Sequence, residues 1–171
     1  MWAQYALKHT GVCLVFDRAK LTRLIDEQIR AKNRYVIDGG VQYIDRSIVQ
    51  DIFREQQYVI NMNALNVLGR DTYPNWHLQT NFQRLFFEKM TDWKDETEWR
   101  WVVFSSVDED IYVDFKDSLV GIMFADNTDE SFVDEVITMT NTWGINYMGL
   151  KWKNCSPWYD FANYRYMAKP R

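Results

Sequence analysis

The run Tyr35-Val36-Ile37-Asp38-Gly39-Gly40-Val41-Gln42-Tyr43-Ile44 decides the fold class. Two stretches rich in β-branched and aromatic residues flank Gly39-Gly40. The backbone freedom of that pair suits a primed two-residue turn, so the pattern predicts a β-hairpin. Toward the N-terminus, Val12-Cys13-Leu14-Val15-Phe16 is apolar without polar alternation, which predicts a buried strand carrying a buried Cys13 thiol. Asp17 is placed to cap a following helix whose Leu21, Leu24, Ile25 and Ile29 share one face, with Arg18, Lys20, Arg23 and Arg30 outside it. Trp2 to His9 reads as a short helix stopped by Gly11.

Toward the C-terminus, Ser47-Ile48-Val49-Gln50 resembles a capping box, and Val49, Ile52, Phe53 and Gln56 continue at helical spacing. Residues 58–73 are ambiguous, with Asn61 to Gly69 a short helix or a packed loop. Pro74 is expected to open a helix with the stripe Leu78, Phe82, Leu85 and Phe86. Residues 97–105 and 111–116 are strand-like, and Leu119 to Phe124 is a further buried strand. Asn127-Thr128-Asp129-Glu130 reads as a second capping box, ahead of a helix with the face Phe132, Val133, Val136 and Ile137, closed by Gly144. Ile145 to Trp152 is another strand, and the last 19 residues are aromatic and irregular. About five helices and six or seven strands interleave. The expectation is a single α+β domain over 1–171: a mixed sheet with at least one hairpin and helices packed on it, ending in an aromatic and basic segment at about 153–171.

Composition agrees. A chain of 171 residues fits one domain at ~150 residues per domain. With 47% hydrophobic and 26% charged residues it is neither disordered nor fibrous. The net charge of −4 is uneven: residues 91–135 hold 14 acidic against 3 basic side chains. That acidic middle argues against a duplex-binding face. Two cysteines build no disulfide framework, which places the chain in a reducing cytoplasm. The start carries no signal-peptide pattern, and the uncharged stretches are too short for a membrane span.

The local pattern with most chemistry is Lys89-Met90-Thr91-Asp92-Trp93-Lys94-Asp95-Glu96-Thr97-Glu98-Trp99-Arg100. A strand starting near Glu96 would put Glu96, Glu98 and Arg100 on one face, and Thr97, Trp99, Trp101 and Val103 on the other. A carboxylate at a cleft mouth can hold a ribose hydroxyl or stabilise an oxocarbenium-like sugar cation. A second carboxylate raises the pKa of one of the pair, while Arg100 lowers it. The competing reading is an ion pair on a strand edge with Trp99 and Trp101 in the core.

These residues carry a resemblance. The chain resembles the C-terminal part of an uncharacterised bacterial family, domain of unknown function 2971. The likeness begins with Trp2, Tyr5, His9, Gly11, Cys13, Leu14, Phe16 and Asp17. It continues through Val41-Gln42-Tyr43, is sharpest at Lys89, Trp93, Glu96, Glu98 and Arg100, and ends in Leu119-Val120-Gly121-Ile122. Family members usually carry a further segment ahead of the Trp-x-x-Tyr motif, so the resemblance implies a shortened member. Glu96-x-Glu98 also looks like the Glu-x-Glu of ADP-ribosyltransferases, which would make Glu98 the catalytic carboxylate, with Glu96 beside it and NAD as the cofactor. Arg100, Trp93, Tyr5 and His9 would then be the ligand-binding residues. Without that analogy no cofactor is expected.

The remaining candidates are thinner. His9-x-x-x-Cys13 lacks further metal-type partners in sequence, so no metal site is expected, and His9 is better placed closing its helix. There is no dinucleotide, P-loop or nucleophile-elbow motif. The tail, from Lys151-Trp152-Lys153 through Trp158-Tyr159 to Lys169-Pro170-Arg171, has a composition that suits stacking on single-stranded nucleic acid. Packing of Trp152, Trp158 and Phe161 on the sheet competes and is preferred, so nucleic acid is not the expected partner. The expected mode is binding or self-association as a homodimer, because a shortened sheet exposes an edge. Small-molecule ligands are left open and no membrane is involved.

Overall fold

The computed structural model describes residues 8–45, 58–105, 109–154 and 156–159. Of the helix expected over Trp2–His9, residues 2–7 lie outside the described residues and Lys8 and His9 form a turn; the helix expected over 49–56 and the capping box at Ser47 also lie outside them. The strands are β1 (Val12–Phe16), β2 (Tyr35–Gly40), β3 (Gln42–Ile44), β4 (Glu88–Met90), β5 (Trp99–Phe104), β6 (Leu119–Phe124), β7 (Asn146–Lys153) and β8 (Ser156–Tyr159). The helices are α1 (Arg18–Ala31), α2 (Met62–Phe86) and α3 (Glu130–Thr140). The fold is α+β. Two compact units divide it: Met1–Arg34 with Ser105–Arg171, and Tyr35–Phe104.

The first unit is built on a mixed four-stranded sheet in the order β1-β6-β7-β8. β6 runs antiparallel to β1 and parallel to β7, which is antiparallel to β8. A central strand loses water on both faces, and β6 has the unbroken apolar sequence that position needs. Leu119, Ile122 and Phe124 form a buried cluster with Val133 of α3, Ile145 and Tyr147. Val136 and Ile137 pack against it as the helical spacing predicts, whereas Phe132 is exposed. α3 is capped by Asp129, whose carboxylate accepts from Ser131 N at 2.8 Å, so the cap sits two residues beyond the Asn127 expected from sequence.

Several expectations change. β1 is a strand, but among the described residues an edge one, and Cys13 and Leu14 are exposed rather than buried. An apolar run without alternation marks a strand but cannot tell a central position from an edge. Residues 111–116 form no strand. Gln28 of α1 satisfies the backbone there, its side chain exchanging two 2.8 Å hydrogen bonds with Asp114 in place of a neighbouring strand. The segment after Lys153 is not wholly irregular. β8 returns along β7, with Lys153 opposite Ser156 and Asn154 at φ 52°, so the molecule does contain a hairpin.

The second unit contains the largest departure. β2 and β3 do not pair with each other: β2 runs antiparallel to β5, and β3 runs parallel to β4. Gly39 and Gly40 lie within β2, opposite Arg100 and Trp99. Both lie beside rings: a Cβ on Gly39 would stand 3.4 Å from the Phe87 ring and one on Gly40 3.6 Å from the Trp99 ring, which are ordinary contact distances. A glycine pair can lie within a strand as well as at a turn, and here it does the former.

Asn61 caps α2 by accepting from Ala64 N at 3.0 Å. The helix is broken at Gly69 (φ 76°), a backbone conformation that side-chain-bearing residues seldom adopt. Its second piece therefore begins ahead of Pro74, which does not open it. Leu78, Phe82, Leu85 and Phe86 are half-buried on this piece. Phe82 and Phe87 meet edge to face, as do Phe86 and Phe104 of β5.

Candidate functional site

The charged cluster belongs to the second unit. Glu88–Met90 is pulled into β4 by its parallel partner β3, which sets Lys89 opposite Tyr43. Thr91–Glu96 then makes a 3-10 turn, Thr97 takes a left-handed conformation (φ 45°, ψ 49°), and β5 begins at Trp99. Glu96 is thus not on the strand. The reversed backbone at Thr97, rather than period-two alternation, turns the Glu96 and Glu98 side chains toward one partner.

That partner is Lys89. Its ammonium bonds Glu96, lies 3.4 Å from Glu98 Oε2, and sits 4.8 Å from the centroid of the Trp93 ring, which is partly exposed. Arg100 takes the other side of Glu98: Nε donates to Oε1 at 2.5 Å and Nη2 to Oε2 at 2.9 Å, while Nη1 donates to Phe86 O at 2.6 Å. Glu98 N–H donates to the Tyr43 hydroxyl at 2.8 Å, and Glu98 O accepts from Val41 N at 2.9 Å. The Glu98 backbone is held by Val41 and the Tyr43 hydroxyl while its carboxylate is held by two cations.

The electrostatics follow. The Arg100 hydrogen bonds hold the Glu98 carboxyl below the usual glutamate range, against the opposing effect of partial burial, with Lys89 adding to the lowering. Lys89 is raised, chiefly by Glu96. Arg100 is raised in turn by Glu98. Two carboxylates and two cations neutralise one another. Both oxygens of Glu98 are already engaged, so it can act on a sugar cation or a hydroxyl only after Arg100 lets go.

The structure brings Glu96, Glu98, Arg100 and Trp93 together. Tyr5 lies outside the described residues. His9 belongs to the other unit, where its Nδ1 accepts from Trp152 Nε1 at 3.1 Å, its ring meets that indole edge-on, and its backbone is left-handed (φ 71°). The roles of Lys89 as hub and Tyr43 as backbone clamp escape the sequence reading. Lys89 precedes its carboxylates by seven and nine residues, and Tyr43 precedes Glu98 by 55, so no helix or strand period links them. Among the described residues no group of three His, Cys, Asp or Glu side chains could hold a metal ion, and no helix is long and apolar enough to cross a membrane.

A second feature of this unit lies along α2. A cleft of about 200 Å³ is lined by Val59, Asn61, Trp76, His77, Thr80 and Asn81. Tyr73, buried beneath it, accepts from Asn61 N at 2.7 Å, and its hydroxyl lies 3.2 Å from His77 Nδ1. The Tyr73 ring centroid is 5.6 Å from those of both Trp76 and His77, so the aromatic wall is braced.

Comparison with known proteins bears on the first 101 residues. Residues 1–101 match the family model described as "Protein of unknown function (DUF2971)". The match takes in Lys89, Trp93, Glu96, Glu98 and Arg100 and ends ahead of Leu119-Val120-Gly121-Ile122. No curated protein and no solved structure matches the chain.

Proposed function

Because the chain belongs to the DUF2971 family, whose description assigns no activity, we propose its function from its own surfaces: it is a binding domain that self-associates as a homodimer through β1. The observation that carries this reading is the sequence of that edge strand. Val12–Phe16 holds no charge and no proline, and Leu14 at its centre is 42% exposed. Proteins that stay monomeric blunt such edges with lysine, proline or a cover. Two copies of a five-residue strand centred on Leu14 can pair antiparallel about a two-fold axis, each supplying the other's missing ladder. A reducing cytoplasmic setting suits a surface strand that carries Cys13 as a free thiol.

Light scattering at micromolar concentration tests it. The expected mass is twice 20.6 kDa for the wild type, and that of a monomer for Leu14→Lys, which places a charge in the paired edge. A monomeric wild type, or a Leu14→Lys dimer as tight as the wild type, defeats the reading.

A second reading has one observation in its favour: Glu96 and Glu98 converge with two cations beside the exposed Trp93 ring. In an ADP-ribosyltransferase-like site, Lys89 and Arg100 would turn to the phosphates of NAD and release Glu98 to face the ribose. Incubation with NAD compares wild type with Glu98→Gln. Turnover lost in the variant supports this reading. No turnover and no thermal shift with NAD removes it.

A further inference from the structure

We propose that the cleft along α2 binds an uncharged, planar heterocycle of the nucleobase class. The inference is independent of self-association through β1 and of the Glu98 cluster. It starts from the lining, which contains no Asp, Glu, Lys or Arg among Val59, Asn61, Trp76, His77, Thr80 and Asn81. An ion entering such a site would shed water without gaining a counter-charge, so a neutral ligand is selected.

The hydrogen-bonding groups narrow it further. Asn61 uses its side-chain oxygen on Ala64 N at 3.0 Å, which leaves its amide N–H₂ as a donor. Asn81 uses its amide nitrogen on His77 O at 3.0 Å, which leaves its oxygen as an acceptor. Their own helix contacts thus fix the two amides, one as a donor and the other as an acceptor, and the N–H and the carbonyl or ring-nitrogen groups of a nucleobase can answer both. Trp76 brings an indole ring to the lining, and bases stack on aromatic side chains whatever their sequence. Size agrees: pockets for drug-sized ligands run ~300–1,000 Å³, and one of about 200 Å³ takes one or two fused rings. A sugar of the same bulk would offer hydroxyls all round and no flat π face to the Trp76 ring.

Preorganisation is the remaining support. Tyr73 ties the Asn61 backbone to the His77 ring and packs on Trp76, so the wall and one amide are placed before any ligand arrives. Little of the binding free energy is then lost to ordering the site.

The test is isothermal titration, paired with saturation-transfer NMR, of the full chain with cytosine, uracil and adenine, and with glucose as the counter-probe. At least one base is expected to bind at about 1 mM or tighter, and glucose is expected to bind at least tenfold more weakly. Asn81→Ala and Trp76→Ala should each weaken that base tenfold or more, and Trp76→Phe should recover most of the loss because it keeps a ring face. Circular dichroism shows which variants are folded. Trp76→Ala and Asn81→Ala guard each other, since one alters the wall and the other an amide. The proposal is overturned if no base binds the folded wild type, if glucose binds as well as the bases, or if both folded variants bind as the wild type does.

Discussion

Arg100 grips Glu98 with two nitrogens, at 2.5 and 2.9 Å from its two carboxylate oxygens, two residues along from it in the chain. The third corner of the guanidinium is fixed on Phe86 O. The pair therefore joins the end of α2 to the start of β5 and does more than decorate an edge. Lys89 completes the neutralisation from the opposite side. Such a pair is a lock on local structure first, and a candidate for chemistry only if a ligand can outcompete Arg100.

Acid should loosen this lock. Arg100 holds the folded Glu98 below its unfolded range, so its contribution to stability is present above the unfolded value of about 4.3 and is lost as pH falls through the folded pKa. The melting temperature of the wild type should fall through that window. Glu98→Gln should already be less stable at neutral pH, by about 1 kcal/mol for a partly exposed charge-assisted contact, and should lose less on acidification. Identical acid profiles for the two proteins would remove Glu98 from the account. Lys89 runs the other way: raised in the fold, its contribution holds below about 10.4 and is lost as pH climbs through the folded value.

Gly121 and Gly39 should respond differently to alanine. A Cβ on Gly121 would stand 3.1 Å from the backbone oxygen of Asn146, within the parallel pair of β6 and β7, and a paired backbone cannot step aside. Gly121→Ala is expected to destabilise by about 1–3 kcal/mol. A Cβ on Gly39 meets only the Phe87 ring at 3.4 Å, which is ordinary contact that a ring can relax from. Gly39→Ala should stay within about 1 kcal/mol of wild type. Chemical denaturation of both variants gives the comparison, and equal losses would contradict it.

The two glycines also show what the sequence could and could not disclose. β6 was legible as a strand because the run from Leu119 to Phe124 is apolar and uncharged, and α1 and α3 were legible because their apolar spacing and capping carboxylates act locally. Gly39-Gly40 misled because a glycine pair fits a turn and can also lie within a strand, and only pairing with the distant Arg100 and Trp99 of β5 decides between them. The candidate site divided in the same way. Glu98 and Arg100 are neighbours in sequence and their pairing could be read. Glu96 joined them through a left-handed Thr97, and Lys89 and Tyr43 through strand pairing, none of which leaves a periodic trace. The cleft on α2 needed the Gly69 break and the Tyr73 brace before its residues could be seen as a group.

The Cys13 thiol should be a slow nucleophile despite its exposed strand. Partial burial pushes it up from the ordinary cysteine value, and its sulfur sits 3.8 Å from Leu14 O. The thiolate is the reacting form, so less of it is present at neutral pH. Alkylation by iodoacetamide, followed at the Cys13 peptide by mass spectrometry, should show a pH midpoint above that of an unfolded peptide of the same sequence. A midpoint at or below the peptide's would mean that the thiol is fully solvated.

The last prediction concerns the backbone that creates the charged cluster. Thr97 is β-branched and held at φ 45°, ψ 49°, where a Cβ crowds its own carbonyl at a cost of roughly 1–2 kcal/mol. Glycine escapes that cost but gives back part of the gain through its freer unfolded chain, roughly 0.5–1 kcal/mol. Thr97→Gly should therefore be neutral or up to about 1 kcal/mol more stable, and Thr97→Asn, which tolerates this conformation, should also be stabilising. Denaturation midpoints measure both. If the left-handed turn is what aims Glu96 and Glu98 at Lys89, both variants must keep the acid-sensitive melting of the wild type. A Thr97→Gly protein that gains stability but loses that sensitivity would mean that the threonine side chain, and not the backbone it forces, holds the carboxylates together.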